Sequence, residues 1–286
     1  MQQKIGVLAD VHGNLTALEA VIADAKANGV TEFWSLGDIT TFGPGTVASY
    51  HLLQQENTTV FLQGNWESTY FEIEAGEPID FGNAKDVAFL AWMSREYAAF
   101  NQAEIDQIRQ LPIKRRVERA GLKIDLMHNQ PNKNYGSDLS PDAPQANFDK
   151  VFQGTDADMA IYAHVHAQIM RCDNIAYEPY RMHRILNTGT VGQSYQLTQK
   201  GMIAQYLLLT LDDTVGVASA DFRRVNYDTS LEIARAQKAD WPFSESYIRM
   251  LKTGQFTRDA DSLAADKRFP EYQAQAQSFY QQLKGE

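Results

Sequence analysis

The sequence is poor in cysteine, has no excess of positive charge and contains no long hydrophobic run. Its single cysteine, Cys172, stands in a chain of 286 residues, so no disulfide can form within the chain. A reducing compartment, the cytoplasm, is the expected location. Residues 1–4 lead directly into a short apolar stretch without the pattern of a secretory leader. No window reaches the apolar length that a membrane-spanning helix needs.

The charge balance is acidic, with 26 Lys+Arg against 36 Asp+Glu and a formal net charge of −10. This balance argues against a nucleic-acid polymer or an anionic membrane as partner, because both require a positive surface. A small anionic substrate remains compatible, since a local site can carry its own positive charge. Hydrophobic residues make up 44% and charged residues 22%, which is typical of a globular protein with a full core and excludes disorder of the whole chain.

Apolar runs of strand length alternate with helical periodicity near the start of the chain. The pattern predicts strands at residues 5–9, 33–36 and 60–62, with helices at 15–25 and 47–53 between them. Strands that alternate with helices in this way are typical of a parallel sheet covered by helices.

The middle of the chain changes from helical to strand-like texture. Two helices are predicted within residues 83–111, and Asn101 and Glu104 are spaced as a capping box that opens the second one. Residues 129–147 form a polar stretch that we interpret as a long surface loop. Further strands are predicted at residues 113–117, 122–127, 159–163, 184–187, 202–211 and 215–222.

The texture changes again after residue 222, where helices are predicted at 228–238, 244–253 and 269–284. In the last helix the apolar residues that share one face are Tyr272, Ala276, Phe279 and Leu283. We therefore predict a core at residues 1–222 and a helical C-terminal extension at residues 223–286 that packs against it. A purely structural role for this extension stays open.

Side chains of types that can bind a metal come shortly after the apolar runs. The seven residues are Asp10, His12, Asp38, Asn65, His128, His164 and His166. Open α/β sheets bind ligands beyond the carboxyl ends of their strands, so this is the edge where a site is expected. One histidine beside a strand would fit a structural role equally well, whereas the ordered set at five strand ends indicates a site. His51 and His183 fall outside the set, and we expect them to be structural or exposed.

This order of motifs resembles that of the calcineurin-like metallophosphoesterases. The matched motifs are Asp10-Val11-His12-Gly13-Asn14, Gly37-Asp38, Gly64-Asn65-Trp66-Glu67, His128 and Ala163-His164-Val165-His166. The resemblance covers about the first 220 residues. It implies an α/β fold in which two sheets form an αββα sandwich.

A narrower resemblance reaches into the C-terminal extension. Its motifs are Gly64-Asn65-Trp66-Glu67, residues 131–136, residues 221–228 and Trp241-Pro242-Phe243. They are similar to those of bacterial enzymes described as asymmetric diadenosine tetraphosphate hydrolases and phosphodiesterases. This likeness implies a small-molecule nucleotide or phosphoester substrate.

The family resemblance also implies roles for the seven residues. Asp10, His12 and His166 would hold one metal, Asn65, His128 and His164 a second, and Asp38 would bridge the two. Asp38, Asn65 and His128 would thereby serve catalysis. Imidazole mixed with carboxylate suits Mn, Fe or Zn, whereas Mg and Ca prefer oxygen ligands.

The implied reaction uses a water activated by both metals for in-line attack on phosphorus, without a covalent enzyme intermediate. Two divalent ions would bring about four positive charges against two from Asp10 and Asp38, because bound ions dominate the local charge. The surplus reconciles an acidic protein with an anionic substrate.

Trp66 departs from the wider family, which usually has histidine after the Gly-Asn pair. Indole has no proton to give near neutral pH, and a general acid matters less when the leaving group is itself a phosphate. We therefore predict a preference for phosphoanhydrides and activated diesters. The ring either stacks on a base or packs the pocket wall.

Further substrate contacts are predicted at Asn14, which could alternatively cap the helix that follows it. Lys133, Arg223 and Arg224 are candidates for holding distal phosphates, with solvated surface positions as the alternative. The leading hypothesis is a dinuclear-metal phosphohydrolase acting on dinucleoside polyphosphates. A broad-specificity phosphodiesterase, a protein phosphatase and a non-catalytic protein-binding scaffold are the alternatives, and a homodimer is left open.

Overall fold

The computed structural model describes residues 1–172, 183–199 and 201–285, so Glu286 of the predicted extension lies outside the described residues. Within these ranges the strands are β1 (Gln2–Leu8), β2 (Glu32–Ser35), β3 (Thr58–Phe61), β4 (Lys114–Arg119), β5 (Leu122–Met127), β6 (Met159–Tyr162), β7 (Gln168–Cys172), β8 (Arg184–Thr188), β9 (Leu197–Thr198), β10 (Gly201–Asp212) and β11 (Gly216–Asn226).

Along the sequence, helices are more frequent towards both ends of the chain than in its middle. They are α1 (Leu15–Ala27), α2 (Thr46–Gln55), α3 (Asn65–Ala75), α4 (Ala84–Ala99), α5 (Gln102–Arg109), α6 (Gln145–Asp149), α7 (Thr229–Lys238), α8 (Ser244–Thr253), α9 (Ala260–Ala264) and α10 (Phe269–Lys284). A short 3₁₀ turn, Lys150–Phe152, continues α6. None of the described helices is both long and apolar enough to cross a membrane.

The described strands form two mixed sheets. The first has the order β11-β10-β1-β2-β3, with β9 paired to β10, and the second has the order β4-β5-β6-β8-β7. The strands β1, β2 and β3 run parallel to each other, as do β5, β6 and β8. The carboxyl ends of each parallel set therefore meet at one edge of their sheet.

The two sheets face each other across an apolar layer. Ile5 and Val7 of β1 and Trp34 of β2 pack there against Ile124 of β5 and Ile161 of β6, all of them buried. These central strands are runs of apolar residues because helices or the opposite sheet cover both of their faces. The predicted two-sheet αββα sandwich is confirmed.

The C-terminal helices pack on the outer face of the first sheet. Tyr272 and Ala276 of α10 belong to the same buried cluster as Leu18 of α1 and Trp92 of α4. Strand β11 runs through the predicted boundary at residue 222 and ends at Asn226. The division into a core at residues 1–222 and an extension at residues 223–286 stays a prediction.

Candidate metal centre

The loops that follow β1 and β6 bring three predicted ligands together. Donor atoms of Asp10, His12 and His166 lie within 4.8 Å of one another. Asp10 Oδ1 is 3.3 Å from His166 Nε2 and 3.8 Å from His12 Nε2, and the two imidazole nitrogens are 3.2 Å apart. Asp10 and His12 are fully buried, so these three side chains can enclose one ion.

A second group forms where β2, β3, β5 and β6 end. Donor atoms of Asp38, His128 and His164 also lie within 4.8 Å of one another. The amide oxygen of Asn65 is 3.2 Å from His128 Nε2 and 2.8 Å from His164 Nδ1. All seven predicted ligands thus belong to one cluster with two centres.

Asp38 stands between the two groups. Its Oδ2 atom is 3.4 Å from His128 Nε2 and 3.8 Å from His12 Nε2. The other carboxylate oxygen accepts a hydrogen bond from the backbone N–H of Trp66 at 2.9 Å. This bond fixes the carboxylate so that one oxygen faces both groups, as a bridging ligand requires.

Backbone carbonyls orient three of the imidazoles. In each case Nδ1 lies next to a carbonyl oxygen, which can only accept, so Nδ1 carries the proton and Nε2 presents a lone pair to the cluster. The donor and acceptor pairs are His12 with Thr40 at 3.3 Å, His128 with Leu36 at 2.8 Å and His166 with Gln193 at 3.2 Å.

The donor set fits a pair of transition-metal ions. Asp10 Oδ1 is buried and has no hydrogen-bond partner among the described residues, although an unpaired buried acceptor is costly. The Nε2 atoms of His12 and His166 face each other at 3.2 Å without a protein donor between them. A cation satisfies such converging lone pairs, and nitrogen mixed with oxygen suits Mn, Fe or Zn.

Ionisation in the cluster favours the same use for Asp38, His12 and His164. Burial acts to raise the pKa of Asp38, but the neighbouring imidazole of His128 outweighs burial and the pKa is lowered. The pKa of His128 rises to about 9 because Asp38 outweighs the effect of burial, so a metal ion bound at its Nε2 would have to displace a proton. Burial lowers the pKa of His12 well below its ordinary value and that of His164 to about 4. Both imidazoles are therefore neutral, as ligands must be.

Five of the seven ligands have a left-handed backbone conformation, which is uncommon for residues other than glycine. Their φ angles are 54° for Asp10, 49° for His12, 54° for Asp38, 68° for His164 and 54° for His166. Backbone hydrogen bonds between the strand-end loops hold two of them, from Asp10 N to the Gly37 carbonyl and from His12 N to the Asp38 carbonyl, each at 3.0 Å.

Glu67 has a positioning role that sequence reasoning missed. Its buried carboxylate accepts hydrogen bonds from the backbone N–H groups of Gly64, Asp38, Ile39 and Thr40 and from the Thr40 hydroxyl, all between 2.8 and 3.0 Å. It therefore ties the start of α3 to the loop that carries Asp38. The signal was present, because Glu67 occupies the capping-box position after Gly64.

Both polar atoms of the Asn14 side chain form hydrogen bonds within the protein. Its oxygen accepts from the Ala17 backbone N–H at 3.1 Å, which caps α1. Its nitrogen donates to the Gly192 carbonyl at 3.3 Å and to the Tyr227 hydroxyl at 3.0 Å. The side chain is fully buried, which favours the capping alternative over the predicted contact with substrate.

The three predicted phosphate-binding cations each have a partner that is not one of the seven ligands. Each is held by a neighbour: Lys133 by Asp138 at 2.9 Å, Arg223 by Asp24 at 2.8 Å and Arg224 by the Gln168 amide oxygen at 3.2 Å. Of the two histidines outside the set, His51 pairs with Glu104 at 2.6 Å and His183 stacks on Phe152 at 4.6 Å.

Trp66 borders the cluster and is already packed on protein. Its ring meets His12 edge to face at 6.0 Å and stacks on Phe89 at 5.3 Å. The guanidinium of Arg258 lies over the same ring at 4.8 Å. Stacking of a base on Trp66 would have to displace one of these groups, which favours a role in the pocket wall.

Residues 3–214 match the calcineurin-like phosphoesterase superfamily domain, and the chain belongs to this superfamily. An uncharacterized protein of Methanocaldococcus jannaschii is 24% identical over 200 residues, which cover 68% of this chain and 78% of the relative.

Solved structures are similar over most of the chain. A metallophosphoesterase from Sphaerobacter thermophilus superposes with a TM-score of 0.64 at 21% identity, covering 88% of this chain and 99% of that protein. A hypothetical protein from Pyrococcus horikoshii OT3 gives a TM-score of 0.66 at 18% identity, again with 88% and 99% coverage. The protein is thus a phosphoesterase, a hydrolase of small-molecule phosphate compounds, with two candidate metal sites.

Proposed function

We propose that this phosphoesterase is a dinuclear-metal enzyme that cleaves phosphoanhydride or activated phosphodiester bonds, with dinucleoside polyphosphates such as diadenosine tetraphosphate as substrates. Asp10, His12 and His166 would hold one ion, Asn65, His128 and His164 would hold the other, and Asp38 would contact both. The observation that carries the proposal is the pair of donor groups on either side of Asp38, with its Oδ2 within 3.8 Å of both His12 and His128.

The contribution of the chain is to hold these donors in place before a substrate arrives. When bound, a pair of such ions supplies charge stabilisation for phosphoryl oxygens and a nucleophile at neutral pH. The carbonyls of Leu36, Thr40 and Gln193 fix the imidazole rings, and Glu67 fixes the loop of Asp38. Fixed dipoles of this kind need no reorganisation during the reaction.

The choice of leaving group follows from Trp66. Its indole borders His12 at 6.0 Å and can donate a hydrogen bond but no proton near neutral pH. An alkoxide leaving group requires protonation, whereas a phosphate leaving group does not. This difference supports phosphoanhydrides and activated diesters over alkyl monoesters.

A substrate panel tests the proposal. The purified protein, loaded in parallel with Mn²⁺, Fe²⁺ or Zn²⁺, is given diadenosine tetraphosphate, bis(p-nitrophenyl) phosphate and glycerol phosphate, and products are identified by chromatography. We expect unequal cleavage of the tetraphosphate to adenosine triphosphate and monophosphate, and little release of phosphate from glycerol phosphate. Hydrolysis of the diester alone would favour a broad phosphodiesterase, and faster hydrolysis of glycerol phosphate would refute the proposed specificity.

A further inference from the structure

We propose that Arg258, a residue of the C-terminal extension, binds the phosphate leaving group at the metal centre. This inference rests on the proposed function and deepens it, because it assigns the group that recognises the second phosphate of a polyphosphate substrate. The extension would then be part of the substrate site as well as part of the fold.

Arg258 lies in the segment between α8 and α9, and its guanidinium reaches the rim of the cluster. The guanidinium carbon is 4.8 Å from the centre of the Trp66 ring and 4.9 Å from that of Phe42. Phe256, two residues earlier, lies at 5.7 Å. Since Trp66 itself contacts the His12 ring, Arg258 is one side chain removed from a metal ligand.

Gln193 connects Arg258 to the other side of the same centre. Its amide oxygen accepts a hydrogen bond from Arg258 Nη2 at 2.8 Å, while its backbone carbonyl orients His166 at 3.2 Å. The Tyr195 ring stacks on His166 at 6.3 Å, and its hydroxyl donates to the Gln193 amide oxygen at 3.0 Å. Arg258 is therefore one residue removed from both histidines of the first metal group, through Trp66 and through Gln193.

The positive charge of Arg258 has no counterion among the described residues. Within the part of the chain that the structure describes, its Nε and Nη1 atoms are buried without a hydrogen-bond partner, and its one hydrogen bond goes to a neutral amide. A shielded cation without an anion is unfavourable. The side chain as a whole is partly exposed, so an anionic oxygen that displaces Gln193 can supply the missing partner.

The chemistry of arginine fits a leaving phosphate. The guanidinium stays protonated under all working conditions, so it cannot act as a general acid, but it pairs with two phosphate oxygens at once. It would offset the negative charge that develops as the bond to the second phosphate breaks. Lys133 and Arg223 are neutralised by Asp138 and Asp24. Arg224, like Arg258, is hydrogen-bonded to a neutral amide, but the contact with the Trp66 ring beside His12 is made by Arg258.

The test compares R258Q with R249Q, which removes the same charge from an exposed arginine of the preceding helix α8. Calorimetry measures the affinity of the Mn²⁺-loaded protein for pyrophosphate. Turnover is measured on diadenosine tetraphosphate and on bis(p-nitrophenyl) phosphate, which has no second phosphate. We expect R258Q to weaken pyrophosphate binding by about 10- to 100-fold, as loss of a charged hydrogen bond does.

The value of kcat/KM for the tetraphosphate should fall by a similar factor in R258Q, while the diester changes by less than about threefold. R249Q should behave as the unmodified protein in all assays. Pyrophosphate affinity that is unchanged in R258Q, or an equal loss on both substrates, would overturn the proposal. If the unmodified protein hydrolyses neither substrate, the proposed function fails, and the pyrophosphate measurement still decides the role of Arg258.

Circular dichroism checks that R258Q folds. If it does not, R258K takes its place, because lysine keeps the charge but loses the paired hydrogen bonds and the aromatic stacking. We expect R258K to bind pyrophosphate about 3- to 10-fold more weakly than the unmodified protein. If R258K then bound pyrophosphate as tightly as the unmodified protein does, the proposal would be overturned.

Discussion

At the scale of single residues, the candidate site combines strained backbone with close approach of loops. Asp10, His12, Asp38, His164 and His166 all have positive φ angles, a conformation that costs of order 1–3 kcal/mol for each such residue. The hydrogen bonds from the Gly64 and Thr40 N–H groups to Glu67 are among the contacts that hold the loops. The left-handed backbone conformation turns these ligand side chains away from the strands and into one cluster.

Gly64 is the residue where the approach of loops is closest. A Cβ atom at this position would lie 2.1 Å from Asp38 Oδ1 and 2.4 Å from Asp38 N. We expect Gly64→Ala to displace Asp38, to lower the metal content and to reduce activity by about 100-fold or more, since small misplacements of reacting groups have effects of this size.

The control is Gly154→Ala. Gly154 has a φ of +73° but nothing within 4 Å of an added Cβ, so it should lose about 1 kcal/mol of stability through backbone strain and keep its activity. Unaltered metal content and activity in Gly64→Ala would contradict the assigned role of Asp38.

Trp66 carries the prediction about leaving groups. In Trp66→His an imidazole next to His12 can donate a proton near neutral pH, so hydrolysis of glycerol phosphate should rise relative to that of diadenosine tetraphosphate. We expect the ratio of kcat/KM for glycerol phosphate to kcat/KM for diadenosine tetraphosphate to rise by about tenfold or more. A well-placed general acid typically contributes about 100-fold or more. Trp66→Phe is the control, and an unchanged ratio in Trp66→His would refute the argument.

Residues near the site differ in how well the sequence predicts that they lie there. Asp10 and His128 follow apolar runs directly, so the pattern of strands is enough to bring them to one edge. Arg258 stands in a polar segment without periodicity, far along the chain from the motifs. Its position depends on how the C-terminal helices pack, and no local pattern encodes that packing.

At the scale of secondary structure elements, the predicted helices and strands agree best where the periodicity is clear. Residues 122–127, 244–253 and 269–284 were predicted with the bounds that β5, α8 and α10 have. The capping box of α5 is present, with Asn101 and Glu104 each accepting the other's backbone N–H at 3.0 Å. These signals are local, so sequence alone is sufficient for them.

Five elements are not predicted, namely α3, α6, β7, β9 and α9, and α6 begins at Gln145, inside the stretch of residues 129–147 interpreted as a loop. Helix α3 buries only Glu67, Tyr70 and Ile73, so it has no broad apolar stripe. Strand β7 is an edge strand in which Met170 is 61% exposed. Partners elsewhere in the fold stabilise these elements, and their own composition does not reveal them.

Helix α4 is joined to the loop before α2 through a buried acid, which makes stability depend on pH. Glu96 accepts hydrogen bonds from Thr41 N and the Thr46 hydroxyl, yet burial raises its pKa to about 8. The unfolded chain releases this proton near pH 4.5, whereas the folded chain keeps it to about pH 8. The contribution of Glu96 to stability is therefore full below pH 4.5 and is lost as the pH rises to 8.

Glu96→Gln removes this dependence. We compare the free energy of unfolding of Glu96→Gln with that of the unmodified protein at each pH. The difference should shift in favour of Glu96→Gln by on the order of 2–4 kcal/mol between pH 5 and pH 8. Urea denaturation at both pH values measures the difference, with Glu77→Gln, an exposed acid, as control. A difference that does not vary with pH would contradict the assigned ionisation of Glu96.

At the scale of the whole molecule, the C-terminal helices share a core with the first sheet. Tyr272 of α10 is 2% exposed and belongs to one buried cluster with Met202 and Tyr206 of β10. Alternating strands and helices predict a parallel sheet covered by helices, whereas the two-sheet αββα sandwich was implied by the family resemblance alone. How the extension lies on the sandwich was not predictable, since amphipathic helices specify a buried face without specifying its partner.

Truncation of Tyr272 tests this shared core. We expect Tyr272→Ala to lower the free energy of unfolding of the whole protein by about 3–5 kcal/mol, as for other large aromatic truncations. Denaturation should remain a single transition by fluorescence and circular dichroism. Gln277→Ala, on the exposed face of α10, should change little, and a separate early transition in Tyr272→Ala would show that the extension unfolds independently.

The central claim, that one cluster holds two metal ions, is tested most directly by counting ions. Protein reconstituted with excess Mn²⁺ or Zn²⁺, and then dialysed, is analysed by mass spectrometry for metal content per chain. We predict two ions in the unmodified protein and in His51→Ala, whose imidazole pairs with Glu104 outside the cluster, but one ion or fewer in His166→Ala. Fewer than two ions in the unmodified protein, or equal loss in His51→Ala and His166→Ala, would contradict the claim.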